Sequence, residues 1–157
     1  MLSDDLQIKK KVTVVKCSKS DCPMVVGFFR PTLVLSGELY PAEELFFILK
    51  HELIHLKHRD VYRKLFFVIC NALHWFNPLV WMMCRQAAVD LELACDERVV
   101  WNADYHVRKA YAETLFASLH RQSSRKSMLF TQFYGGKQIM KKRFENILMK
   151  TKKKNGL

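Results

Sequence analysis

PAEELFFILKHELIHLKHRD, residues 41–60, decides how the rest of the chain reads. Pro41 suits the first position of a helix, where its missing N–H would go unbonded anyway, and Glu43 and Glu44 fall in the first turn, where the helix dipole favours acids. Leu45, Phe46, Ile48, Leu49, Leu53 and Leu56 recur at spacings of three and four, which predicts an amphipathic helix running to about 60–63. HELIH, residues 51–55, lies in its middle. Residues four apart share a helical face, so His51 and His55 can each turn an imidazole nitrogen toward one metal ion. Glu52 sits one step round, where its carboxylate can reach a water at that ion without being a ligand. Zinc in such a site brings the pKa of water toward neutrality, and a glutamate can take the proton as the water attacks a peptide carbonyl. The bare motif is a modest signal, because a charged helix rich in histidine, His58 included, would carry it by coincidence.

A catalytic zinc needs a third protein ligand. ELACDE, residues 92–97, supplies Glu92 and Asp96, four apart on another expected helix. Glu92 would complete a site of two histidines and one glutamate holding one Zn2+ per chain. Asp96 would orient a ligand histidine through its other ring nitrogen. Leu91, Leu93, Ala94 and Val99 surround these acids, where an unpaired carboxylate is costly. Cys95 reads as a small buried residue, its thiol too far from an activating base to act as a nucleophile. Tyr111, Arg108 and His106 are candidate donors to an oxyanion, each weighed against a packing or surface role. Gly135-Gly136-Lys137 lacks the spacing of a phosphate-binding loop.

Outward from the two motifs, 11–17, 24–29 and 32–35 read as short strands, Pro31 interrupting the last two. Helices are expected over 81–100, 107–120 and 137–150, with 121–136 as a mobile loop. The fold class is α+β, a small N-terminal sheet packed on a mainly helical body. With 157 residues, half of them hydrophobic, the chain suits a single domain over 1–150 and a basic tail over 151–157. Five cysteines without a CxxC pair argue against a disulfide scaffold and for reduced thiols. Residues 1–11 lack the apolar core of a signal peptide.

The net charge of +11 is concentrated at one end: 120–157 carry 11 Lys or Arg against Glu145 alone. Such an end suits nucleic acid or an anionic membrane surface, and a solvated tail without a partner reads equally well. No recognised nucleic-acid module accompanies it, so direct nucleic-acid binding is not expected. Residues 65–83, LFFVICNALHWFNPLVWMM, contain no Asp, Glu, Lys or Arg over 19 positions. That length suffices to span a bilayer, but Asn77-Pro78 breaks a helix there. The segment reads as two helices, buried or lying against a membrane, with a single span as the alternative. Trp75, Phe76 and Trp81 read as core or interface anchors and His74 as an interior histidine.

Taken in order, GFFRPTLVLS, HELIHLKHRD, HWFNPLVW, ELACDE, YAETL and GGKQIMKKRFENIL resemble the zinc metallopeptidase domain of the BlaR/MecR-type β-lactam sensor-transducers, a gluzincin group. The resemblance covers roughly 12–148, and HELIHLKHRD with NPLVW and ELACDE makes it specific. It implies a zincin-like core in which His51 and His55 are the zinc histidines, Glu52 the general base, Glu92 the third ligand and Asp96 the acid behind them. It also implies an extended substrate lying along the strand around 32–35 as a sheet edge. The implied substrate is a dimeric DNA-binding repressor of BlaI/MecI type, with self-cleavage besides, for which the loop-like, basic composition of 123–143 makes that stretch the expected place. The implied location is the cytoplasmic side of the bacterial inner membrane, in antibiotic-resistance signalling, with a homodimer left open. Members of the group carry flanking transmembrane helices and an extracellular sensor, so 1–150 correspond to the peptidase domain alone. The competing class is a catalytically silent, metal-stabilised module that docks on a membrane or partner; the intact Glu52 argues against it.

Overall fold

A computed structural model of the chain describes residues 12–18, 20, 23–27, 30–37, 39–125 and 135–149. Three short strands, β1 (Thr13–Cys17), β2 (Met24–Val26) and β3 (Thr32–Ser36), precede five helices: α1 (Ala42–His58), α2 (Asp60–Leu73), α3 (Pro78–Val99), α4 (Tyr105–Arg125) and α5 (Gly135–Leu148). The architecture is α+β and mostly helical. The sheet order is β1-β3-β2, with β3 parallel to β1 and antiparallel to β2. Gly27, at a φ of 96° that a side chain would resist, ends β2 and turns the chain toward β3. Because β3 is paired on both sides, it is not the edge expected at 32–35. The edge that faces α1 is β2, whose Val25 N–H points away from β3 to Glu52.

The long helix expected to reach 60–63 stops at His58. Arg59 adopts the left-handed conformation at φ 56°, its N–H caps the carbonyl of Leu56 at 3.1 Å, and α2 begins at Asp60. This bend governs the site. On one continuous helix, residues 55 and 60 would point about 140° apart; the left-handed residue swings Asp60 back beneath His55.

The apolar segment 65–83 forms the distal parts of α2 and α3 and the turn between them, as the Asn77-Pro78 break predicts. Asn77 caps α3, its side-chain oxygen accepting from Leu79 N–H at 3.0 Å, and Pro78 takes the first helical position. Among the described residues no helix is long and apolar enough to cross a membrane.

α4 starts two residues before the expected 107 and continues to Arg125, where a loop was expected from 121. Arg121 explains the extension: it pairs with Glu44 near the start of α1 and lies 5.0 Å over the Tyr40 ring. Of the stretch 123–143 expected to be cleaved, 123–125 and 135–143 are helical, and 126–134 lie outside the described residues, as does the tail 151–157. The core forms where α1, α3, α4 and α5 meet, around Phe47, Ile54, Cys95, Val99, Tyr111 and Ile147. Ile147 has no exposed surface, which fixes α5 against the helices that carry both motifs.

Candidate metal centre

α1 brings His51 and His55 together as the four-residue spacing requires. Their Nε2 atoms are 3.0 Å apart and their rings meet edge to face. α3 crosses α1 and presents Glu92, whose Oε2 is 3.6 Å from His51 Nε2 and whose Oε1 is 3.7 Å from His55 Nε2. Two nitrogens bound to one zinc at the usual ~2.0–2.1 Å and a tetrahedral angle stand about 3.3 Å apart. The spacings of 3.0, 3.6 and 3.7 Å lie near that value, with a different Glu92 oxygen facing each histidine.

The other ring nitrogens are committed elsewhere, which sets the tautomers. His55 Nδ1–H donates to Asp60 Oδ2 at 2.7 Å, and Asp60 Oδ1 accepts from Arg63 at 3.0 Å. His51 Nδ1–H donates to the Tyr111 hydroxyl at 2.8 Å, and that hydroxyl donates to Asp96 Oδ1 at 2.6 Å. The Nε2 atoms are thereby the ones left to face Glu92, and a metal binding there would displace the protons they carry. Asp96 thus reaches His51 chiefly through Tyr111; its direct approach to Nδ1 is 3.5 Å.

Asp96 is fully buried, and its charge is met by Arg143 of α5, whose Nε and Nη2 donate to its two oxygens at 2.6 and 2.8 Å. Burial opposes the Arg143 charge, but the hydrogen bonds and attraction of Asp96 outweigh it and hold the guanidinium more firmly protonated than usual. Arg143 also stands 3.6 Å from Glu92, and Lys64 donates to Glu92 at 3.3 Å. Burial would raise the Glu92 pKa, yet the two histidines and Arg143 push it well below the ordinary carboxylate range. Burial likewise opposes protonation of His51, and hydrogen bonds to Cys95 and Glu92 overcome it, lifting its pKa to about 9.

Glu52 lies beside the histidines and accepts the Val25 N–H at 3.2 Å. Burial raises its pKa, moving it toward the range useful for proton transfer near neutrality. A cleft of about 510 Å³ opens at this point, bounded by β2 on one side and by Val61, Lys64, Leu65 and Val68 of α2 on the other.

Cys95 needs correction on one point. It is buried, as expected, but its Sγ is only 3.4 Å from His51 Nδ1, and burial, which would raise the thiol pKa, is outweighed by the two histidines. His51, His55 and Cys95 bring one donor atom each within 4.8 Å of one another, a second possible ligand set. Its sulfur, however, approaches the His51 nitrogen already bonded to Tyr111 and contacts the His51 carbonyl at 3.4 Å. Of the three oxyanion candidates, Tyr111 is occupied by His51 and Asp96. Arg108 caps the carbonyls of Val100, Ala103 and Ile147, and His106 is exposed.

A family model for the BlaR1 peptidase M56 matches residues 1–147. The regulatory protein BlaR1 of Bacillus licheniformis is 28% identical over 125 residues, covering 77% of this chain and 21% of that protein. BlaR1 of Staphylococcus aureus is 28% identical over 145 residues, 90% of this chain and 25% of that protein. The methicillin resistance mecR1 protein of Staphylococcus aureus is 30% identical over 110 residues, 68% of this chain and 19% of that protein. The chain therefore spans about a fifth to a quarter of the length of these relatives.

Proposed function

Because the chain belongs to the BlaR1 peptidase M56 family, we propose that it is a zinc-dependent endopeptidase of gluzincin type with a zincin-like core. His51, His55 and Glu92 hold the metal, and Glu52 is the general base. The observation that carries this reading is the approach of two Nε2 atoms to 3.0 Å, with the Glu92 carboxylate facing both, Oε2 at 3.6 Å from His51 and Oε1 at 3.7 Å from His55. Zinc bound there supplies Lewis-acid chemistry, polarising a peptide carbonyl and making water nucleophilic at neutral pH.

The chain's own residues do the rest. Asp60 and Tyr111 accept from the Nδ1–H groups and so turn Nε2 of each histidine to the metal. Arg143 neutralises Asp96 and leaves Tyr111 aligned. Glu52, with its raised pKa, takes the proton of the attacking water and returns it to the departing amine. β2 offers its unpaired edge beside Glu52, so an extended substrate can add to the sheet and bring its carbonyl to the base. The Val25 N–H, which now donates to Glu52, would pass to such a strand as Glu52 turns to the attacking water.

The resemblance favours a substrate of the BlaI/MecI repressor type, cut on the cytoplasmic side of the inner membrane, with self-cleavage as a second event. Glu52→Gln tests the mechanism. It should retain zinc and lose about 10³-fold in cleavage of such a repressor, the scale of a positioned general base. Undiminished cutting would overturn the role of Glu52. Wild-type protein that holds zinc and cleaves neither repressor nor itself would favour the docking module instead.

The His51, His55 and Cys95 grouping supports a second reading of the ligand set. In it Cys95 replaces Glu92 and Tyr111 releases His51 Nδ1.

A further inference from the structure

The distal hairpin of α2 and α3 exposes more large apolar side chains than any other part of the described residues. Phe66, Leu73, Trp75, Phe76, Leu79 and Met82 are each more than 60% exposed, and Leu65, Val68, Ile69, Trp81 and Met83 are exposed as well. On α2 these side chains cover an arc of about 160°, and on α3 about 200°, at 100° per residue. A groove-binding partner is met by a narrower stripe. An apolar surface this wide on both helices and across the tip suits immersion in an apolar medium.

Charge follows the same division. No acidic residue occurs between Asp60 and Asp90, while Arg63, Lys64 and Arg85 stand at the base of the hairpin. Lys142 of α5 joins Arg85 and Met82 around one shallow cavity, extending this basic collar. From the collar to the end of α2, residues 65–73 rise about 13 Å at 1.5 Å each. That matches one leaflet of a hydrocarbon core about 30 Å thick and is too short to cross it.

The turn is also prepared for a medium without water, where backbone groups need internal partners. His74 N–H donates to Cys70 O at 3.0 Å and Asn77 N–H to His74 O at 2.9 Å. Val80 N–H donates to Asn77 O at 3.2 Å, and the Asn77 side chain takes Leu79 N–H. His74, expected in the interior, is exposed and turns its Nδ1 to Cys70 O at 3.1 Å.

We propose that the α2–α3 hairpin inserts into one leaflet of an anionic lipid bilayer, Trp75, Phe76 and Trp81 entering the lipid and the basic collar resting on its headgroups. The inference goes beyond the peptidase reading and does not depend on it. It has a consequence for the cleft: Leu65 and Val68 belong to both the cleft wall and the hairpin, so a lipid-seated hairpin opens the cleft close to the membrane surface.

The test is flotation of the full chain with vesicles of phosphatidylethanolamine and phosphatidylglycerol in equal parts, alongside vesicles of phosphatidylcholine. The chain should float with the anionic vesicles, and lipids brominated on their acyl chains should quench its tryptophan fluorescence. In Trp75→Phe/Trp81→Phe, which keeps Trp101 as the only tryptophan, binding should persist and the quenching should largely disappear. Phe66→Gln/Ile69→Gln/Phe76→Gln/Leu79→Gln should bind the anionic vesicles about tenfold or more weakly while keeping the helical content of the wild type. Absence of flotation, equal binding by the quadruple variant, or quenching that survives in the double variant would each overturn the proposal. So would a dimer that depends on the hairpin and excludes vesicles.

Discussion

Asp60 controls His55 more directly than any other side chain does. Its Oδ2 accepts from Nδ1–H at 2.7 Å while Arg63 steadies Oδ1, which fixes the direction in which Nε2 points. Carboxylates behind a metal-bound imidazole typically contribute 10–100-fold to metal affinity. Asp60→Ala should therefore weaken zinc binding by about that factor in competition with a chromogenic chelator, and unchanged affinity would remove Asp60 from this role. The approach of His51 to His55 was legible in the sequence because four-residue spacing on a helix is a local signal, whereas Glu92 was reached only from the need for a third ligand. Asp60 was not, since reaching His55 from five residues on requires a chain reversal that the amphipathic pattern of 41–63 hides. Tyr111 drew notice as an oxyanion donor, and the structure turns its hydroxyl to the opposite side of His51. Arg143 gave no local signal. The only hint was that a buried Asp96 needs a cation, and 120–157 offer eleven.

At the scale of elements, the junction of α1 and α2 is the decisive joint. Arg59 adopts a conformation that costs a side-chain-bearing residue about 1–2 kcal/mol and glycine almost nothing. Arg59→Gly should therefore be more stable than Arg59→Val by about 1–2 kcal/mol in urea denaturation. Equal stabilities would mean that the left-handed bend is absent in solution. The same joint shows why helix existence was easier to read than helix limits. The heptad-like run of Leu and Ile continues through Arg59 without a Gly or Pro to mark the stop, whereas Asn77-Pro78 announces the next break plainly. The sheet teaches a related lesson. Its three strands were legible from their β-branched runs, but the central place of β3 comes from pairing between distant segments, which left β2 as the edge beside Glu52.

Across the whole molecule, α5 joins the basic end of the chain to the metal centre through Arg143. Removing one partner of a buried ion pair typically costs about 3–5 kcal/mol. Arg143→Gln should lower stability by an amount in that range in thermal or urea unfolding, with Arg143→Lys between it and the wild type. A loss below about 1 kcal/mol, the range of exposed pairs, would show that Asp96 does not depend on α5. The near-neutral body and basic end were visible in composition alone. That one basic residue serves the interior was not, because charge counts do not distinguish solvated from buried partners.

Everything proposed for the site depends on one zinc held by His51, His55 and Glu92. Zinc per chain in the purified wild type, Glu92→Ala and Cys95→Ser tests it most directly. One zinc is expected in the wild type and in Cys95→Ser, and weakened or lost zinc in Glu92→Ala. Loss in Cys95→Ser with retention in Glu92→Ala would contradict the ligand set, and a folded wild type that binds no zinc would contradict the metal centre itself.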